Sequence, residues 1–114
     1  MPHFVVDCSE SVLSVNDAAT ITKEVHGAAV STGLFKEGNI QVRVSPFTDY
    51  TVGGEKTDFI HVFGAILEGR TPEQKKALSV AVTQALADLF PSVDQIGVNI
   101  RDLEKGTGCS KASL

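Results

Sequence analysis

LFKEGNIQVRV (34–44) decides the fold, because LFPSVDQIGVNI (89–100) repeats its plan. Each opens with Leu-Phe at the end of a helical pattern, crosses a short polar connection and enters a strand. Ile40, Val42 and Val44 alternate in the first copy, and Ile96, Val98 and Ile100 in the second. Such alternation places each triplet on one face of a pleated strand. Outward from the first copy, DAATITKEVHGAAVSTGLF (17–35) carries a helical stripe of Ala18, Ile21, Val25, Ala28 and Ala29. Asn16 reads as its N-cap, with Asp17 at the positive end of the helix dipole. HFVVD (3–7) is a compact strand ahead of it. Outward from the second copy, TPEQKKALSVAVTQALADLF (71–90) reads as the clearest helix, with Leu78, Ala81, Val82, Ala85, Leu86 and Leu89 as its apolar face. Thr71 is its N-cap, Pro72 takes the first helical position, and Gln74 closes a capping box. FIHVFGAI (59–66), just before it, has the near-continuous apolar pattern of a strand buried on both sides.

The interval between the caps Asn16 and Thr71 equals that between Leu34 and Leu89. The chain therefore reads as one α/β (α+β) domain over 1–114, built from tandem β-α-β halves at roughly 2–45 and 57–104. The tail, 105–114, is small, polar and loosely held. A strand, crossover helix and parallel strand form the expected unit. Two units side by side give a four-stranded mixed sheet with two helices on one face. The other face then carries Gln41, Arg43, Asn99 and Arg101, a mixture suited to a subunit interface or a site lining.

Composition removes several classes of function. Ten basic and fourteen acidic side chains leave a net charge of −4, and no basic run is present. Nucleic acid is not an expected partner. No stretch approaches the ~20 apolar residues that span a bilayer, and no basic and apolar leader is visible. Cys8 and Cys109 stand near opposite ends, without disulfide or zinc spacing. The expected compartment is the cytoplasm. Phosphate loops, a hydrolase elbow and metal-ligand helices are missing, so neither a cofactor nor a metal is expected. A chain of this mass buries about two-thirds of its unfolded surface, which leaves a lone subunit of modest stability and room for an oligomer.

The opening, MPHFVVDCS, reads two ways. Within a chain, Pro2 has a tertiary amide nitrogen without a proton. If Met1 is removed, that atom becomes a secondary amine at a strand tip. Removal is expected because proline is small.

PHFVVDCS, STGLF with NIQVRV, and EGRTPEQKKAL together resemble the tautomerase superfamily, and within it the 5-carboxymethyl-2-hydroxymuconate isomerase family. The likeness covers most of residues 2–90. It implies a homotrimer of double β-α-β units, with the terminal proline amine as base and sites at subunit boundaries. It implies a cofactor-free isomerase or tautomerase acting on a small anionic unsaturated 2-hydroxy or 2-oxo acid. Pro2 is then the catalytic base; Arg70, between strand 59–66 and the second helix, is the candidate catalytic partner, and Arg43 and Gln41 are the candidate substrate-binding residues. The sequence departs from the family at one point. The family strand carries Arg-x-Arg, with its first arginine assigned to the site, whereas this chain has Gln41-Val42-Arg43. Gln41 can donate a hydrogen bond but cannot neutralise a carboxylate.

The chemistry of such a site is simple. A single base whose pKa lies near the working pH can remove one proton and return another. Burial and a neighbouring arginine both disfavour a charged amine. Arg70, ahead of a helix N-terminus, suits a developing enolate or a carboxylate. The plainer readings are a chain-start proline, a solvated Arg70 and an intersubunit Arg43. His3 suits packing or an interface, His26 a helix surface, His61 a strand and Cys8 the core. Lys36 reads as solvated, and Arg101 takes no chemistry. The alternative functions are a non-catalytic trimeric relative and a proline-dependent hydration or decarboxylation, for which no carboxylate is evidently placed.

Overall fold

A computed structural model describes residues 1–114. In chain order, β1 (His3–Ser9) leads through a 3-10 turn (Glu10–Ser14) into α1 (Ala18–Ser31). After a second 3-10 turn (Glu37–Asn39) come β2 (Gln41–Phe47), β3 (Phe59–Leu67), α2 (Pro72–Leu89) and β4 (Gln95–Leu103), and a last turn (Lys111–Ser113) ends the chain. The strands form one sheet in the order β2-β1-β3-β4. β1 pairs with β2 and β3 with β4 in parallel, while β1 and β3 are antiparallel. Val6 lies opposite Val62 at the middle of that central pair, so a local two-fold there relates the halves. This is the mixed sheet of two β-α-β units, with both helices on one face.

The helices lie on the sheet because their apolar positions fall on single stripes. Ile21, Val25 and Ala29 of α1 and Leu78, Val82 and Leu86 of α2 are buried against Phe4, Val6, Cys8, Ile60, Val62 and Ile66 of the central strands. Each large side chain enclosed in this way contributes about 1.5–3 kcal/mol relative to exposure. Gly64 belongs to the same face. A Cβ there would meet Ile100 Cδ1 at 2.5 Å and Phe4 Cε1 at 3.1 Å, so glycine gives the Phe4 ring its place. Phe4 in turn meets Phe35 edge-on, with ring centroids 6.4 Å apart. α2 begins as its sequence indicates: Thr71 and Gln74 form a reciprocal capping box with Pro72 in the first turn. Thr32 is the C-cap of α1, followed by Gly33 at φ +71°, the left-handed conformation that favours glycine after a helix.

Three local expectations are corrected. Asp17, not Asn16, caps α1: its Oδ1 accepts from the Thr20 N–H at 2.8 Å, which also lowers its pKa. Asn16 instead donates through Nδ2 to Leu89 O at 2.8 Å, a contact between the two halves. β3 is enclosed on one side only in the single chain, since Phe63 on its outer side is 51% exposed. The surface of 6854 Å² exceeds the ~6,000 Å² expected for this mass, in keeping with an open sheet face. The tail is not wholly loose. Lys105 N–H donates to Glu68 Oε2 at 2.6 Å, and Ser110 and Ser113 close a small turn. No helix is long and apolar enough to cross a membrane.

Candidate active site

β1 starts one residue after Pro2, and the first parallel rung ties that residue to β2. Gln41 N–H donates to Pro2 O at 3.0 Å. Residues just ahead of β2 must therefore lie beside residue 2. Pro2 is buried among them yet lines a pocket of ≈ 310 Å³. Leu34, Phe35, Lys36 and Asn39 come from the α1–β2 connection, Leu67 ends β3, and Arg70 precedes α2. None of the 8 lining residues is acidic.

Arg70 is held in three ways. Its Nη2 donates to Leu34 O at 2.7 Å, its Nη1 to Leu67 O at 3.5 Å, and its guanidinium lies 5.1 Å from the Phe35 ring centroid. Both hydrogen-bond acceptors are carbonyls, so its charge meets no carboxylate. A guanidinium has five N–H donors, and most remain available on a plane fixed by the ring.

The local two-fold clarifies what is special here. Arg70 immediately precedes the cap of α2 and donates to Leu34 O; Asn16 immediately precedes the cap of α1 and donates to Leu89 O. The fold uses the same staple twice, once with a neutral amide and once with a cation. The residue ahead of β3 is Asp58, as Pro2 is ahead of β1. Asp58 accepts from Ser9 Oγ at 3.1 Å and from Ser11 Oγ. Only the first half thus combines proline, a free cation and an acid-free pocket.

The sequence-derived site residues separate in space. Pro2 and Arg70 share the pocket. Gln41 lines a neighbouring pocket of ≈ 460 Å³ with His3 and tail residues including Cys109 and Ser110. Met1 and Leu67 border both pockets and form the wall between them. Arg43 lines neither. It lies on the open sheet face and donates through Nη2 to His3 Nδ1 at 3.3 Å. Desolvation, then the Arg43 charge and the chain's N-terminal charge, lower the His3 pKa.

Further along that face, His61 Nε2 meets Asn99 Oδ1 at 2.7 Å, beside the space left by Gly97. Burial raises the Asp7 pKa, partly opposed by His61. In the core, burial and then the Asp7 charge push the Cys8 thiol up to about 11.

Sequence reasoning missed Lys36 as a pocket residue. It is exposed, as expected, but stands on the wall beside Pro2 and Arg70. No local sequence pattern marks it; its place follows from the register that ties residue 2 to the start of β2.

A protein-family model described as 5-carboxymethyl-2-hydroxymuconate isomerase matches residues 2–98. No curated protein sequence matches the chain. Among solved structures, Pt0534 inactivated by 2-oxo-3-pentynoate is similar at TM-score 0.85 and 17% identity, covering 98% of this chain and 94% of its own. A fused 4-OT asymmetric trimer gives 0.80 and 20%, covering 98% and 94%. A 5-carboxymethyl-2-hydroxymuconate delta-isomerase gives 0.73 and 16%, covering 97% and 87%. At these identities the likeness is one of fold.

Proposed function

The chain belongs to the 5-carboxymethyl-2-hydroxymuconate isomerase family, and we propose that it is a cofactor-independent isomerase of unsaturated 2-hydroxy or 2-oxo acids, with Pro2 as general base once Met1 is removed. Family and fold support an isomerase or tautomerase. The finer reading is carried by one observation: Pro2 and Arg70 share a pocket without an acidic wall residue.

Removing Met1 turns the Pro2 nitrogen from an amide into a secondary amine. As the neutral amine it accepts the proton of the substrate's 2-hydroxyl group. Electrons move from that oxygen to form the C2 carbonyl, and the conjugated double bonds shift. The ammonium then returns the proton to a carbon of the chain, so a 2-hydroxydiene becomes a 2-oxo-ene with no net change in protons. Burial, Arg70 and Lys36 all disfavour the charged amine and keep a basic fraction at neutral pH. The spare N–H groups of Arg70 stabilise the enolate or hold the carboxylate beside it. Loss of Met1 also removes part of the wall toward Gln41, whose amide can then donate a hydrogen bond to substrate.

The open sheet face suits a homotrimer. The fused 4-OT proteins were solved as trimers; here exposed Phe63 and Arg43 offer the surface for a second copy. Arg43 lines neither pocket of its own chain, so its role in substrate binding requires that assembly to bring a neighbour's site to it. The decisive experiment compares Pro2→Ala with the parent on 2-hydroxydienoic acids, after intact mass has shown loss of Met1. Turnover is expected to fall at least about tenfold; unchanged turnover rejects Pro2 as the base.

A further inference from the structure

We propose that the hollow at the start of β3 and β4, at the end of the sheet away from Pro2, binds a small organic cation: a primary ammonium on an aromatic or short apolar body. This hollow takes no part in the chemistry of the Pro2 pocket. The local two-fold gives each half one hollow on the open sheet face. In the first half, His3 and Gln41 at the start of β1 and β2 share a wall with the tail. In the second, Phe59 and Gln95 at the start of β3 and β4 share a wall with residues 50–52, around a space of ≈ 290 Å³. Neither Phe63 nor Arg43, the residues offered to a second copy, lines it.

The polar groups of this wall are acceptors. Asp94 is its only acid, no lysine or arginine lines it, and the Asp94 carboxylate makes no hydrogen bond or ion pair. The Pro2 pocket is the reverse, with Arg70 and Lys36 and no acid. His61 adds a lone pair. Asn99 Oδ1 can only accept, so the His61 Nε2–H donates to it at 2.7 Å, and in the neutral ring Nδ1 carries no proton. Nδ1 lies over Gly97, where a Cβ would come within 3.0 Å, so glycine keeps the space beside it clear. Tyr50 and Phe59 supply apolar and π surface, with ring centroids 5.2 Å apart. The Tyr50 ring already draws a cation: Lys56 Nζ, on the wall of an adjoining hollow, stands 5.6 Å from its centroid. A carboxylate, an imidazole lone pair and aromatic faces together match an ammonium and its apolar body, and disfavour an anion.

The test needs no turnover. 2-Phenylethylammonium is titrated into the full chain at about pH 7.5, where an alkyl amine is charged, and followed by backbone amide shifts. 2-Phenylethanol is its neutral match and 3-phenylpropionate its anionic one. The ammonium is expected to give saturable shifts at 50–52 and 94–97, and to bind at least about tenfold more tightly than either of the others. Asp94→Asn should weaken the ammonium about fivefold and leave the alcohol within about twofold. Asp94 is exposed, so an unchanged thermal midpoint should accompany that loss. Tyr50→Leu keeps an apolar wall and should weaken the ammonium by about the same factor through loss of the π face. Equal affinity for ammonium and alcohol, an undiminished affinity in Asp94→Asn, or shifts confined to the Pro2 pocket overturn the proposal, as does the absence of saturable shifts.

Discussion

Arg70→Asn separates the two tasks of the pocket arginine, because the fold supplies its own control. Asn16 shows that an amide directly ahead of a helix cap can reach the opposite Leu carbonyl, at 2.8 Å. Asparagine at position 70 therefore keeps an amide donor ahead of the helix cap, on a shorter side chain, and discards the charge. The stability cost is limited to the stacking on Phe35 and a weaker donor, about 1 kcal/mol. In a domain of this size that lowers the midpoint of thermal unfolding by about 4 °C. The catalytic cost is larger, since removing a preorganised donor to a developing oxyanion lowers turnover by about 100-fold or more. Asn16→Ala gives the opposite profile. It leaves Leu89 O without its side-chain donor, costs about 1 kcal/mol, and does not touch the pocket. Thermal unfolding and kcat/KM on a 2-hydroxydienoic acid, measured on both variants, make the comparison. If Arg70→Asn turns over within about threefold of the parent, Arg70 is a staple like Asn16 and its role toward the substrate anion is wrong. If Asn16→Ala loses as much turnover as Arg70→Asn, the loss belongs to the shared architecture and not to the charge.

Gly64→Ala places a methyl group against Ile100 and Phe4, and overpacking of this kind costs about 1–3 kcal/mol. Denaturant unfolding should show the lowered midpoint; a neutral result would mean that Phe4 gives way freely. Cys8 and Cys109 should differ sharply in reactivity. Burial holds the Cys8 thiol at about 11 while Cys109 is exposed, so iodoacetamide at pH 8 should label native protein once, at Cys109, and twice after denaturation. Rapid double labelling of the native protein would contradict the enclosed position of Cys8.

The parts of this architecture that were legible in the sequence are those set by short-range chemistry. Thr71, Pro72 and Gln74 specify a helix start through bonds within one turn, and the alternations of 40–44 and 96–100 name their own faces. Asn16 and Asp17 are both good caps, and the choice between them was decided by Leu89, far along the chain. The outer side of FIHVF looked enclosed because the sequence carries apolar residues there without saying what covers them. Gln41 and Arg43 share a face by alternation, as expected, yet Met1 and the folded tail decide that only Gln41 borders a pocket near Pro2. Lys36 was read as solvated because a lysine in a polar connection usually is. Its place beside Pro2 follows from the register of β1 against β2, which a local pattern does not contain.

The central claim is that the Pro2 nitrogen is a free amine kept uncharged by its surroundings. Its titration, followed by ¹⁵N NMR on protein whose mass shows loss of Met1, tests this most directly. The account predicts an apparent pKa below the ordinary α-amine range of about 7.7–8.0, rising when Arg70 is changed to Asn. A value at or above that range, unmoved by the substitution, would contradict it.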